Sequence, residues 1–358
     1  MKVGIITQPL YVNYGGILQN YALQQVLKKM GHEPVTLDFM PSLSFGHYLL
    51  YAGKALVCYL SPEKRHPIKP YKHFLERPSN IDSFVRNNIE VTKTVSAYTR
   101  RLLRKNGIEA VIVGSDQVWR YSYNHHWLED MFLGFAKNTD CRKISYAASF
   151  GVEKWDYPQD RTAVVRELIK HFDAVSVREN SAVSLCKDCL GVDAQVVIDP
   201  TLLMSAEDYD SISDDNLSGN GPYLAAYVLD KDSRKNSYIH ALARAKGLEV
   251  KEMTVSGSGC SIEEWVSTIR NAEIVVTDSY HGTLFSILFQ KQFLSFINRK
   301  RGADRFHTLL DNLGLQDRLI DIADPLPVVE KDIDYPSVLS QLDSLREKSI
   351  SFLESALS

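Results

Sequence analysis

The chain is poor in the features that would assign it quickly. It has five cysteines in 358 residues, an odd and sparse set that does not suggest a disulfide framework, so we expect free thiols and a cytoplasmic protein. Cys186-Lys-Asp-Cys189 has metal or redox spacing, but no second pair of Cys or His follows to complete a zinc site. It lies on an expected amphipathic helix, which favours packing. His125 and His126 likewise lack a third ligand at a usable spacing, so we expect no metal. No apolar run reaches the ~20 residues of a spanning helix; the nearest, 48–60, is interrupted by Lys54. The opening Met1-Lys2-Val3-Gly4-Ile5-Ile6-Thr7 is too short for a signal peptide and suggests a first strand. The formal net charge is only -3, which excludes bulk attraction to nucleic acid or anionic membranes. Gly-x-Gly-x-x-Gly and Gly-Lys-Ser/Thr are also missing from the first βα turn, which weakens dinucleotide and P-loop readings.

What is present is an α/β chain of two series. Hydrophobic content of 44% and charged content of 24% fit a soluble globular protein. The length suits two domains. Short apolar, β-branched runs are expected as buried parallel strands at 3–7, 35–39, 110–113, 143–148, 174–177 and 195–198. A polar loop over 208–222 separates these from strands at 223–229, 249–253, 274–277 and 293–296. Helices are expected between them, ended by Gly31, Gly107 and Gly247, and 338–357 is an amphipathic terminal helix.

Chemistry gathers where these strands end, the edge at which open α/β sheets bind ligands. Asp278-Ser279-Tyr280-His281-Gly282 sits between a strand and an apolar helix. It puts an imidazole, a carboxylate and two hydroxyls at a helix N-terminus, which attracts anions. An ordinary Asp or Ser cap is the plain alternative for Ser279. His281 has no packing reason to be there and can change charge near neutral pH. The first turn, Asn13-Tyr14-Gly15-Gly16 with Gln19 and Asn20, is polar and uncharged. Such groups suit sugar hydroxyls, and its glycines permit close backbone approach. Gly114-Ser115-Asp116-Gln117-Val118-Trp119 offers a carboxylate and an amide for a hydroxyl acceptor, with Trp119 as a face for a sugar ring. Arg178 ends another strand, where guanidinium fits carboxylate or phosphate; a structural salt bridge with Glu179 is the alternative. Lys291, Arg299, Lys300, Arg301 and Arg305 form a basic run suited to an anion clamp or a solvated loop. The stretch 40–78, with five prolines and a basic cluster, suits either a lid or a solvated loop.

Five ordered blocks resemble the polysaccharide pyruvyl transferase family: Tyr14-Gly15-Gly16 with Gln19-Asn20-Tyr21-Ala22, Gly114 to Trp119, Ser176-Val177-Arg178-Glu179, Val197-Ile198-Asp199-Pro200-Thr201, and Thr277 to Gly282. The match runs from residue 1 to about 320. It implies two Rossmann-like domains facing across a cleft, similar to GT-B glycosyltransferases. We take these as 1–175, on the acceptor side, and 176–330, on the donor side, with 331–358 as a helix able to pack back on the first. The resemblance implies transfer of pyruvate from phosphoenolpyruvate to two hydroxyls of a surface polysaccharide sugar or its lipid-linked precursor, as a ketal. No cofactor is implied. Peripheral membrane association stays open. His281 would be the proton donor and Asp116 its catalytic partner across the cleft. Arg178, Asp278, Ser279, Tyr280 and Gly282 would line the donor. Asn13, Tyr14, Gly15, Gly16, Gln19, Asn20, Ser115, Gln117 and Trp119 would face the acceptor. The family carries Arg where this chain has Ser279, two residues before the His. Either Arg299, Arg301 or Arg305 supplies that cation, or the donor differs. Two alternatives follow: a glycosyltransferase using a nucleotide sugar, with Asp304 or Asp311 gripping ribose, and a glycan-binding protein without catalysis.

Overall fold

The computed structural model describes residues 1–40, 77–213, 221–254, 259–298, 302–324 and 331–358. The 41–76 part of the expected lid, and Arg299 and Arg301, lie outside these residues.

Two parallel sheets carry the chain. The first contains β1 (Lys2–Ile6), β2 (Glu33–Thr36), β3 (Ala110–Gly114), β4 (Arg142–Ala148), β5 (Ala174–Val177) and β6 (Gln195–Val196), ordered β2-β1-β3-β4-β5-β6. The second contains β7 (Tyr223–Tyr227), β8 (Glu249–Glu252), β9 (Ile274–Thr277), β10 (Gln292–Phe296) and β11 (Leu319–Ile320), ordered β11-β10-β9-β7-β8. The central strands are buried along both faces, as Ala-Val-Ile-Val-Gly of β3 is throughout. That explains why they read as continuous apolar runs rather than alternating ones. β5 and β6 continue the first sheet, pairing with β4 and with each other. The expected boundary at 175/176 therefore falls inside that sheet, and the chain leaves it only after Val196.

In each sheet the winding reverses beside the first strand. β1 lies between β2 and β3, with Ile6 opposite Val113. β7 lies between β8 and β9, with Tyr227 opposite Thr277. Such reversals open a crevice at the carboxyl ends of the two strands. The two crevices border one cleft.

The helix Tyr14–Lys29 holds the halves together. Thirteen of its sixteen residues are buried, as befits a helix packed on nearly all sides. Its Tyr14 hydroxyl donates to the Cys260 carbonyl, and Tyr21 packs edgewise on Phe84 and against Tyr209. One continuous core runs from Val3 and Ile5 to Trp265 and Phe285. Burying a side chain such as Phe285 contributes about 1.5–3 kcal/mol. The terminal helix Tyr335–Leu357 joins this core: its Tyr335 hydroxyl donates to Lys291 of the second half. Further on, Ser349 Oγ accepts from the Ile198 amide at 3.1 Å, and Phe352 packs on Tyr146 of β4. No helix among the described residues is long and apolar enough to cross a membrane.

Candidate active site

The cleft has a volume of about 510 Å³. Gln8, Asn13, Asp116 and Gln117 line it from the first sheet, and Asp278, Ser279, Tyr280, His281 and Arg305 from the second. Arg178 and Asp199 lie behind this surface, fully buried.

Asp199 is the hub. Its Oδ1 accepts from the Thr201 amide at 3.1 Å and the Thr201 hydroxyl at 2.9 Å. Its Oδ2 accepts from Arg178 Nη1 at 2.7 Å and Ser115 Oγ at 3.4 Å, and faces His281 Nε2 at 3.6 Å. Burial pushes its carboxyl up, but the closeness of His281 and the charge and hydrogen bond of Arg178 outweigh this and hold it well below the usual range. Asp199 was not among the expected site residues. Asp-Pro-Thr reads as a turn, and what hinted at more was its place after a strand's carboxyl end and within one of the five family blocks.

Asp116 is the second carboxylate. Its φ of +68° is a conformation that Asp tolerates better than most residues. Oδ2 accepts from Asn13 Nδ2 at 3.0 Å; Oδ1 faces Arg178 Nη2 at 3.4 Å and Arg305 Nη1 at 3.9 Å. Burial opposes ionisation here too, but Arg178, His281 and Arg305 keep this carboxyl low.

The two guanidinium groups share Tyr280. Arg178 and Arg305 each lie 4.8 Å from its ring centre, a stabilising contact for a desolvated cation. Arg178 is tightly paired with Asp199, whereas among the described residues Arg305 has only the looser approach to Asp116. Burial and the like charge of Arg178 bring Arg305 down to about 10. Arg305 opens the helix Asp304–Asn312 rather than lying in a solvated loop. It brings a cation beside the His281 turn, where Ser279 provides none. Glu179 stands behind it. One of its oxygens accepts from Ser149 Oγ at 2.8 Å, the Phe150 amide at 3.0 Å and the Gly151 amide at 3.3 Å. Among the described residues the other has no hydrogen-bond partner, nor do the buried Nε of Arg178 and of Arg305 and Nε2 of His281. Burial raises the Glu179 carboxyl against the pull of Arg178.

Several expected ligand contacts have structural work instead. Asp278 is engaged by the fold: it accepts from the Leu229 amide at 2.6 Å, the Asp230 amide at 3.1 Å and Lys235 Nζ at 2.8 Å. Ser279 caps the helix Tyr280–Leu288, accepting from the Gly282 amide at 3.4 Å. Gly282 packs so tightly that a Cβ would meet Thr277 and Tyr227. Trp119 is not a sugar platform. It is fully buried, parallel to Phe132 at 5.0 Å, with Nε1 donating to the Met131 carbonyl at 3.0 Å. Gln19 is buried and bonds Thr7 at 2.9 Å and the Ser115 amide at 3.0 Å; Asn20, also buried, accepts from Thr36 at 2.8 Å. Tyr14 is buried between the halves. The glycine turn serves a different neighbour from the one expected. A Cβ on Gly15 would overlap the His281 imidazole, and one on Gly16 would press on Asn13. Of the expected acceptor residues, Asn13 and Gln117 line the cleft, and Ser115 braces Asp199.

Two parallel α/β sheets that border one cleft, with an imidazole, two guanidinium groups and two carboxylates gathered around it, define a GT-B-like α/β protein. Solved structures share this fold. UDP-GlcNAc 2-epimerase from Methanocaldococcus jannaschii matches with a TM-score of 0.52 at 10% identity, over 96% of this chain and 92% of its own. The epimerase from Neisseria meningitidis bound to UDP-GlcNAc matches with 0.51 at 10%, over 99% and 94%. The S. aureus MnaA-UDP structure matches with 0.51 at 11%, over 98% and 90%. Identities this low speak for the fold alone. No curated protein sequence matches the chain. The family model for polysaccharide pyruvyl transferase matches residues 13–300, so the chain belongs to the polysaccharide pyruvyl transferase family and is a transferase of that family.

Proposed function

We propose that the chain moves the pyruvyl group of phosphoenolpyruvate onto two hydroxyls of a glycan, or of its lipid-linked precursor, as a ketal. The observation that carries this reading is that Arg305 and His281 line one face of the cleft, with Arg178 buried behind it, opposite Asp116 and Asn13. Phosphoenolpyruvate has a carboxylate and a phosphate, which guanidinium groups bind well. Arg305, paired only loosely with Asp116 among the described residues, is the main anion contact and stands in for the arginine missing at Ser279.

His281 gives a proton to the methylene carbon of the donor, which becomes the methyl group. The first sugar hydroxyl adds to the enol carbon. The carbon–oxygen bond to phosphate then breaks and the second hydroxyl closes the ketal. One hydroxyl proton returns to the imidazole and the other leaves with inorganic phosphate. General acid catalysis of this kind contributes ~10²–10⁴-fold. Asp116, held in its ionised form, is a weak base. It accepts a hydrogen bond from the attacking hydroxyl and orients it. Asp199 orients His281 and Arg178 from behind. Transfer would take place in the cytoplasm, where phosphoenolpyruvate is made.

The test is to incubate the protein with phosphoenolpyruvate and a mixture of surface-glycan oligosaccharides. The expected products are inorganic phosphate and a ketal methyl singlet by proton NMR, in equal amounts. Glycosyl transfer from a nucleotide sugar, with phosphoenolpyruvate untouched, would overturn the reading.

A further inference from the structure

Val12 and Tyr123 stand out on the surface. They are the large hydrophobic side chains left exposed among the described residues, at 60% and 49%. Both line the mouth of the reaction cleft, on the first-sheet side. Exposed apolar surface of this kind marks a binding surface when it is grouped beside a site.

Tyr123 is also held firmly. It lies in the short helix Tyr121–Asn124, which follows the Asp116 turn directly. Asn124 Nδ2 donates to the carbonyls of Gln117 at 3.0 Å and Val118 at 2.9 Å, and Gln8 Nε2 donates to Asn124 Oδ1 at 3.1 Å. The Arg120 guanidinium lies 4.4 Å from the Tyr123 ring centre. A phenol ring is thus fixed in register with Asp116 while much of its surface stays open.

We propose that Tyr123, with Val12, is the platform on which the pyranose ring of the acceptor lies while its two hydroxyls reach Asp116 and Asn13. The chemistry of the rim selects this occupant. A pyranose has an apolar C–H face and a hydroxyl edge. Here an aromatic ring and a branched aliphatic side chain stand beside the amides of Gln8, Asn13 and Gln117. An acyl chain would set only apolar surface against those polar side chains and the Asp116 carboxylate. The platform takes the role that the sequence suggested for Trp119. This subsite rests on the proposed transfer to a glycan, but it predicts binding without any donor.

The experiment is saturation-transfer NMR of the intact protein, without phosphoenolpyruvate. The probes are methyl β-D-galactopyranoside, methyl β-D-glucopyranoside and methyl β-D-mannopyranoside. We expect transfer to the ring C–H protons of at least one probe, retained in Tyr123→Phe and about tenfold weaker in Tyr123→Ala. Because the side chain is exposed, Tyr123→Ala should melt with the wild type, so the loss is not one of folding. Equal binding by Tyr123→Ala would overturn the platform. So would the absence of transfer to all three probes, or a Tyr123-dependent self-association in place of sugar binding. Failure of the donor assay together with Tyr123-dependent sugar binding would reject the pyruvyl donor and keep this subsite.

Discussion

Asp116 and Asp278 occupy equivalent places, each just past the strand where its sheet reverses, and they are used in opposite ways. Asp278 is held by two backbone amides and Lys235. Asp116 meets side chains that border the cleft: Asn13, Arg178 and Arg305. The first-sheet edge presents a carboxylate and amides, and the second an imidazole and a guanidinium. Position at a sheet's ligand-binding edge is therefore not enough to assign a role. What decides is whether local backbone donors have already claimed the side chain.

The largest effect should come from His281→Ala. We expect transfer to fall ~10²–10⁴-fold, with donor-induced stabilisation changed far less, by parallel turnover and melting measurements. Next, the two carboxylates should part company. Asp278→Ala removes the carboxylate beside buried Lys235 and the acceptor of two amides and should cost about 3–5 kcal/mol in urea unfolding. Asp116→Asn keeps a hydrogen-bonding side chain and should impair turnover more than stability. The same outcome for both would break the comparison. The two arginines sharpen it further. Arg178→Ala strands Asp199 in the core and should also destabilise by about 3–5 kcal/mol. Arg305→Ala should chiefly weaken donor binding.

Gly15→Ala tests the contact between the halves. The added methyl must displace His281 or part the cleft, so we expect at least about a tenfold loss of turnover. Normal activity would show that the imidazole is not fixed there. The smallest effects lie in pH dependence. The depressed carboxyls of Asp199 and Asp116 contribute stability that is complete above the ordinary Asp value of about 3.9. That contribution is lost as pH falls toward their folded values. Asp199→Asn should flatten the acid side of a melting profile. Glu179 acts in the opposite sense. Its raised carboxyl favours the fold below the ordinary Glu value of about 4.3, and this is lost as pH rises. Glu179→Gln should therefore remove a loss of stability on the way to neutrality.

The strands were legible because burial on both faces leaves continuous β-branched runs; β5 and β9 match their expected spans residue for residue. The His281 turn was legible as an imidazole with no packing role at a helix start. Side-chain destinations were much less so. Trp119, Gln19 and Asn20 look like ligand contacts in a polar turn, yet neighbours distant in the chain enclose all three. Gly15 was read for a ligand's approach, but the group that approaches is His281, 266 residues away by sequence number (281 less 15). Asp199 looked like a turn because its partners are distant in the chain: Ser115 and Arg178 follow other strands of the first sheet, and His281 comes from the second.

The central claim is that Arg305 and His281 face the carboxylate and phosphate of the donor. Titrating phosphoenolpyruvate into wild type and Arg305→Ala, followed by thermal unfolding, tests it most directly. Donor at ~100 times its dissociation constant should add ~2.7 kcal/mol to the wild type. The same concentration should add far less to Arg305→Ala. Stabilisation of both proteins by UDP, with none of either by phosphoenolpyruvate, would contradict the account.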